Sequence, residues 1–110
     1  MKQGDIYIAN LNPSRGSEQR GQRPVVVVSG NAMNDHFGVV IVMPLSTKIK
    51  KYAGCILLKR DKINNLKQDS EVITFQLRSV SKDRLTKKMG NISADQLHEL
   101  KKKLLEILTY

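Results

Sequence analysis

Three groups of polar side chains stand out in this sequence because their types suit the chemistry of phosphate esters. Each group lies beside glycine or proline or at the end of an apolar run. The groups are Ser17, Glu18, Gln19, Arg20 and Arg23, then Ser46, Thr47 and Lys48, then Gln76 and Arg78. An arginine fork matches two phosphate oxygens, and a neutral hydroxyl can hold a third. Any one of these residues alone would more often close a loop or end a strand.

Other kinds of catalytic site find little support in the sequence. His36 and His98 are isolated, and no close pair of carboxylates has the spacing of metal ligands, so we expect no metal and no other cofactor. Cys55, the only cysteine, lies in an apolar segment, where cysteine usually behaves as a small hydrophobic residue. RNA can be cut without metal when its own 2′-hydroxyl attacks the adjacent phosphorus. The protein then needs only to hold the strand, move protons and stabilise the anionic transition state.

The charge of the chain indicates what kind of partner it binds. Nineteen lysines and arginines against ten aspartates and glutamates give a formal net charge of +9 over 110 residues. Such an excess attracts polyanions, so we expect nucleic acid or an acidic protein segment as partner; a merely basic soluble surface is the alternative. The length predicts a single domain over residues 1–110. No long apolar run or apolar leader occurs, so we expect a cytoplasmic protein with no membrane partner.

Short apolar runs predict the strands that must position the polar groups. Val25–Val28 and Val39–Met43 have the continuous apolar character of strands buried on both faces, with Pro44 ending the second. Further strands are predicted at Asp5–Asn10, Cys55–Leu58 and Val72–Leu77, with a long loop over Leu11–Arg23 and a turn or single helical turn over Gly30–Asn34.

The C-terminal segment carries the clearest local signal. Ser93 followed three residues later by Gln96 is a capping box that predicts the start of a helix. Four leucines then recur at helical spacing and should pack on the sheet: Leu97, Leu100, Leu104 and Leu108. Lys101–Lys103 should fan over the solvent side and pair with Glu99. The predicted fold is therefore mainly β with a C-terminal helix.

Taken in order along the chain, these features resemble the MazF/PemK toxin family. The residues that carry the resemblance are Gly4–Tyr7, Pro13, Gly16–Gln19, Gly21, Arg23–Val28, Asn34, Pro44–Ser46, Gln76, Arg78 and Arg84–Leu85. The resemblance implies an SH3-like β-barrel of the CcdB/PemK/MazF type and a homodimer. It also implies a type II toxin-antitoxin toxin that cuts single-stranded RNA at selected sequences without metal, so that it inhibits translation and growth, and a cognate acidic antitoxin.

The resemblance also implies roles for individual residues. Arg23 matches the family's catalytic arginine, and Ser46 falls where many members carry a catalytic threonine. Thr47 would take that role if the loop were shifted by one residue. The base that accepts the 2′-hydroxyl proton stays open between Glu18, the nearest carboxylate in sequence, and Arg23 itself.

Two positions depart from a pattern seen in some members, which place a histidine at the position of Ser17 and an acidic residue at that of Phe75. A His-and-Asp version of the mechanism is therefore not expected here, and Phe75 offers base stacking instead of a carboxylate acceptor. The residues expected to contact RNA are Ser17, Gln19, Arg20, Lys48, Phe75, Gln76 and Arg78.

Two alternatives from other classes remain at this stage. One is a non-catalytic toxin that resembles the CcdB group and poisons DNA gyrase through a C-terminal tryptophan; this chain has no tryptophan and ends in Tyr110. The other is a passive nucleic-acid-binding barrel, for which the basic charge suffices but the pairing of Arg23 with Ser46 is superfluous. RNA cleavage in excess chelator separates the three functions.

Overall fold

The computed structural model describes residues 1–12, 16 and 21–110. Within them lie strands β1 (Asp5–Asn10), β2 (Gln22–Val27), β3 (Val39–Ser46), β4 (Ile56–Leu58), β5 (Ser70–Val72), β6 (Arg78–Ser81) and β7 (Leu85–Asn91). The α-helices are α1 (Asn31–His36) and α2 (Ala94–Thr109), and short 3-10 helices span Thr74–Gln76 and Lys82–Arg84. The prediction of a mainly β fold with a C-terminal helix is confirmed.

The strands form one antiparallel sheet whose long central strand is β3. The order of strands is β4-β5-β3-β2-β1-β7, and β6 also pairs with β3. Because the first part of β3 pairs with β6 and its last two residues pair with β5, one edge of β3 serves two partners in succession. Among the described residues, the hydrogen-bonded ladder does not close into a complete barrel.

Apolar side chains fill both faces of the central strands. Val26 and Met43 belong to a cluster that packs against Leu100 of α2, whereas Val25 and Val27 belong to a second cluster on the opposite face. Successive strand residues point to opposite faces, so a run of valines fills both clusters at once. The prediction of central strands buried on both faces is confirmed.

Pro44 does not end β3, contrary to the prediction. The strand continues through it to Ser46, because Pro44 lies where the partner of β3 changes from β6 to β5. The carbonyl of Pro44 accepts a hydrogen bond from the Ile73 backbone N–H at 2.9 Å, while no ladder donor is needed from Pro44 itself.

The predicted strand over Val72–Leu77 is also wrong. β5 ends at Val72, opposite Leu45, and β6 begins at Arg78, opposite Val42. The five residues 73–77 therefore face only two residues of β3, 43 and 44, and the excess leaves the sheet as the 3-10 helix. This excursion brings Phe75 and Gln76 out beside the end of β3.

β2 begins earlier than predicted, at Gln22, so Arg23 lies in a strand and not in a loop. It pairs with Ala9 of β1, and the Leu11 N–H donates to the Gly21 carbonyl at 3.0 Å, which extends this pairing toward the start of β2. Strand pairing fixes the Arg23 backbone, which a long loop would not do.

The capping box of α2 is confirmed by both of its hydrogen bonds, from the Gln96 N–H to the Ser93 Oγ at 3.1 Å and from the Ser93 N–H to the Gln96 Oε1 at 2.9 Å. The leucine stripe packs as predicted over its first three members, but Leu108 is 75% exposed. Lys103 pairs with Glu106 at 3.7 Å, and the predicted pairing with Glu99 does not occur. No helix in the described part of the chain is long and apolar enough to cross a membrane.

Candidate active site

The register between β2 and β3 ends two residues short of Arg23 and Ser46. Val25 pairs with Pro44 and Val27 with Val42, and continuing this antiparallel register by two residues sets Arg23 across from Ser46. Residues two apart on a strand point to the same face, so Arg23 and Ser46 lie on the face of Val25 and Pro44. Strand geometry thus aligns two residues that are far apart in sequence.

The surroundings of Ser46 differ from those of Thr47. Ser46 is the buried last residue of β3, and its Oγ accepts a hydrogen bond from the Lys48 N–H at 3.2 Å. Accepting that bond orients the oxygen and leaves the hydroxyl hydrogen available to a phosphate oxygen. Thr47 follows the strand and is exposed.

A pocket of about 180 Å³ opens beside Ser46. Its lining brings together four residues singled out in the sequence with three that were not: Ser46, Lys48, Phe75 and Gln76, joined by Lys50, Tyr52 and Ile73. A buried hydroxyl, two ammonium groups and two aromatic rings around one pocket can bind phosphate and nucleobase groups together.

Two aromatic rings form one wall of this pocket. The rings of Tyr52 and Phe75 meet edge to face, with centroids 5.2 Å apart and planes at 88°. Tyr52 is 45% exposed and Phe75 is 51% exposed, so part of each ring surface remains open to solvent. Phe75 was predicted from the sequence and Tyr52 was not, although the position of Tyr52 beside three lysines was a signal for the second ring.

Glu71, which the sequence analysis missed, supports the loop that lines the pocket. Its side chain is buried and accepts hydrogen bonds from the backbone N–H groups of Lys50, Lys51 and Tyr52, at 2.9, 3.3 and 2.8 Å. A lone glutamate within a short strand between Ser70 and Val72 gives little warning of this role.

Arg78 has a structural contact at the base of the segment that follows β1. Its Nη1 donates to the Leu11 carbonyl at 3.3 Å, and Arg84 donates to the carbonyls of Asn10 and Asn12. The Gly21 N–H donates to the Asn12 Oδ1 at 3.0 Å, which joins the two ends of that segment. Four residues predicted for the site, Ser17, Glu18, Gln19 and Arg20, lie outside the described residues.

Side chains that could bind a metal are scattered in the described part of the chain. No group of three or more histidine, cysteine, aspartate or glutamate side chains there could hold a metal ion. Cys55 contacts the buried hydroxyl of Thr74, with Sγ and Oγ1 3.5 Å apart. Cys55 therefore packs beside a structural threonine, as its apolar surroundings in the sequence suggested.

Known proteins resemble this chain over nearly its whole length. Endoribonuclease MazF from Staphylococcus saprophyticus is 34% identical over 101 residues, which cover 91% of this chain and 84% of that protein. Endoribonuclease MazF9 from Mycobacterium tuberculosis is 34% identical over 105 residues, covering 91% and 89%.

Solved structures show the same fold. The crystal structure of MazF from Deinococcus radiodurans has a TM-score of 0.85 at 27% identity, covering 100% of this chain and 97% of that one. A MazE-MazF structure from the same organism has a TM-score of 0.77 at 26% identity, covering 98% and 95%. Residues 2–108 match the family described as PemK-like, MazF-like toxins of type II toxin-antitoxin systems, so the chain belongs to that family.

Proposed function

We propose that this protein is an endoribonuclease toxin that cuts single-stranded RNA by attack of the RNA 2′-hydroxyl, without a metal. The phosphate at the cut would lie between the side chains of Arg23 and Ser46. The observation that carries the proposal is the β2–β3 register, because its continuation by two residues would bring Arg23 level with Ser46, and Ser46 lines a pocket of cations and aromatic rings. Two relatives that are 34% identical are named endoribonucleases, which supports the same activity here.

The proposed reaction is an internal displacement at phosphorus. The 2′-oxygen forms a bond to phosphorus as its proton passes to a base, and the bond to the 5′-oxygen breaks as that oxygen takes up a proton from Arg23. The products are a 2′,3′-cyclic phosphate and a 5′-hydroxyl. Arg23 neutralises the charge that grows on the phosphoryl oxygens and Ser46 donates a hydrogen bond to one of them. Glu18 and Arg23 are the two proposed acceptors of the 2′-hydroxyl proton.

The pocket supplies the groups that would hold the RNA strand. Lys48 and Lys50 attract phosphates, Phe75 and Tyr52 offer ring faces to bases, and Gln76 can pair with a base edge. Ser17, Gln19 and Arg20 are also proposed to contact RNA, as the resemblance to the family implies. Arg78 is likewise proposed to contact RNA, and its Nη1 also donates to the Leu11 carbonyl.

The proposed biological setting is a cytoplasmic toxin, with residues 1–110 acting as one domain in a homodimer. Cutting messenger RNA would inhibit translation and growth until a cognate acidic antitoxin covers the site. The MazE-MazF structure from Deinococcus radiodurans and the +9 net charge of this chain support such a partner.

The test is cleavage of a short single-stranded RNA in excess chelator. We expect wild-type protein to cut it, and an RNA whose 2′-hydroxyl at the cut is replaced by hydrogen to be bound but not cut. Arg23→Ala should lower the rate by roughly 10²–10⁴ without unfolding the protein. Arg60→Ala is the matched control, because it removes an exposed arginine that follows β4. This variant should cut RNA at the wild-type rate.

Three results would contradict the proposal: a strict need for a divalent ion, cutting of the deoxy-substituted strand, or a folded Arg23→Ala variant with the wild-type rate. RNA retained by the wild type without cleavage would favour the passive binding protein, and RNA neither retained nor cut would favour a gyrase poison.

A further inference from the structure

Glu71 accepts three hydrogen bonds from backbone N–H groups, and the proposed reaction gives it no role. Its side chain is only 2% exposed, and its two carboxylate oxygens accept from three consecutive N–H groups, those of Lys50, Lys51 and Tyr52. Burying a carboxylate is unfavourable unless such donors replace its water. Three charge-assisted bonds compensate for that cost and at the same time fix the backbone of the three residues.

The segment that Glu71 fixes is the loop between β3 and β4 that lines the RNA pocket. Lys48, Lys50 and Tyr52 all come from this loop. Lys51 has φ of 56°, a left-handed conformation that non-glycine residues rarely adopt, so the surroundings must hold the loop in this shape. The hydrogen bonds to Glu71 hold the loop in this shape.

Glu71 is also tied to the proposed catalytic hydroxyl. It lies directly opposite Ser46 in the β3–β5 pairing, and the Ser46 Oγ accepts from the Lys48 N–H at the start of the same loop. The loop is therefore held at its start by Ser46 and at its middle by Glu71. Held in this way, Tyr52 meets Phe75 edge to face and completes the aromatic wall.

We propose that Glu71 is a positioning residue, whose buried carboxylate holds Lys50 and Tyr52 in the conformation that binds RNA beside Arg23 and Ser46. This inference rests on the proposed function. Glu71 itself would not contact the RNA; it acts through the loop between β3 and β4. The effect of removing it should fall on substrate binding, because Ser46 keeps its place at the end of β3 and Arg23 is held by β1.

The variant Glu71→Gln tests this role because it keeps the size of the side chain. An amide has one acceptor oxygen, and its NH₂ group is a donor. That NH₂ group would face a backbone N–H, which is also a donor, so at least one of the present hydrogen bonds would be lost. Asp5→Asn is the matched control, since Asp5 is a buried carboxylate that accepts from the Lys2 N–H at 2.9 Å and pairs with Lys88, away from the pocket.

Two readouts are measured at a temperature where all variants are folded. For Glu71→Gln we expect faster amide hydrogen exchange at Lys50, Lys51 and Tyr52 without RNA, together with a KM for a short RNA raised roughly tenfold and a kcat nearly unchanged. Asp5→Asn should change neither the exchange of these amides nor the KM. Tyr52→Ala, at a half-exposed site outside the apolar core, should also raise the KM.

The outcomes separate this inference from the proposed function. Wild-type protein that neither binds nor cuts RNA would overturn both. Wild-type protein that cuts RNA, with a KM for Glu71→Gln no higher than for Asp5→Asn, would overturn the role of Glu71 alone. If Glu71→Gln does not fold, Tyr52→Ala decides: a wild-type KM in that variant would mean that the Tyr52 ring, which Glu71 is proposed to position, does not contribute to RNA binding, and this would overturn the proposal.

Discussion

At the scale of single residues, burial distinguishes two neighbouring hydroxyls that the sequence presents side by side. Ser46 is buried in strand pairing with Glu71 and its Oγ is oriented by the Lys48 N–H, whereas Thr47 is exposed after the strand has ended. A catalytic donor must be held in place before the reaction, because ordering it during the reaction would raise the barrier. The structure thus supports Ser46 as the donor over Thr47.

We therefore predict that Ser46→Ala slows RNA cleavage on the order of 10²-fold at saturating RNA, the usual cost of one lost donor to a developing negative charge. Thr47→Ala, its matched control, should retain most of the wild-type kcat. Single-turnover cleavage of one short RNA by both variants provides the measurement. Impairment of Thr47→Ala alone would transfer the role to Thr47.

At the scale of secondary structure, the sequence predicted strands where the residues are apolar and missed them where the residues are polar. Val25–Val28 predicted β2 because it fills two clusters, but the polar residues Gln22 and Arg23 gave no sign that the strand begins before them. β7, with its lysines Lys87 and Lys88 exposed, has no apolar run and was not predicted at all. Pairing partners, and not the strand's own residues, define such segments.

The same limit applies to the candidate site. Its members Ser46, Lys48, Phe75 and Gln76 could be selected from residue type and resemblance, and the structure places them around one pocket. The excursion that exposes Phe75 depends on five residues facing two across the sheet, a count that no local pattern contains. Glu71 was missed for a similar reason, since its partners lie about twenty residues away in the chain.

Gly90 in β7 provides a prediction about the elements. A Cβ placed there would lie 2.2 Å from the Ile63 carbonyl oxygen and 2.9 Å from the backbone of Asn64, so β7 and the 61–65 turn could not keep their packing. That packing includes bonds from the Asn91 N–H to the Ile63 carbonyl and from the Asn65 side chain to the Met89 carbonyl.

We expect Gly90→Ala to lower the free energy of unfolding by about 1–3 kcal/mol, the usual cost of overpacking, as measured by denaturant titration. Gly38→Ala is the control, because a Cβ at Gly38 meets no atom within 4 Å and the residue does not have a positive φ. Equal stability of the two variants would show that the turn yields without cost.

At the scale of the whole molecule, the excess of positive charge includes exposed lysines beside the pocket. The chain carries a net charge of +9, and Lys48, Lys50 and Lys51 are all exposed beside the pocket. The nearby carboxylate of Glu71 is buried beneath the backbone of this loop and accepts from its N–H groups. Polyanions should approach this side of the protein first, with an affinity that falls as salt rises.

A cognate antitoxin that inhibits the protein should compete for this same surface. We expect a disordered acidic segment to fold along it, with apolar side chains near Phe75 and carboxylates over Arg23 and the neighbouring lysines. In a homodimer each cation would occur twice about the two-fold axis, so one long segment could cover both pockets.

The prediction is that saturating antitoxin abolishes RNA binding, that raised salt weakens both complexes, and that Arg23→Ala weakens antitoxin binding as well as slowing cleavage. Fluorescence anisotropy of a labelled RNA that the protein does not cut, titrated with antitoxin at two salt concentrations, measures the first two effects. RNA affinity that is unchanged at saturating inhibitor would mean that the antitoxin binds elsewhere and inhibits by another route.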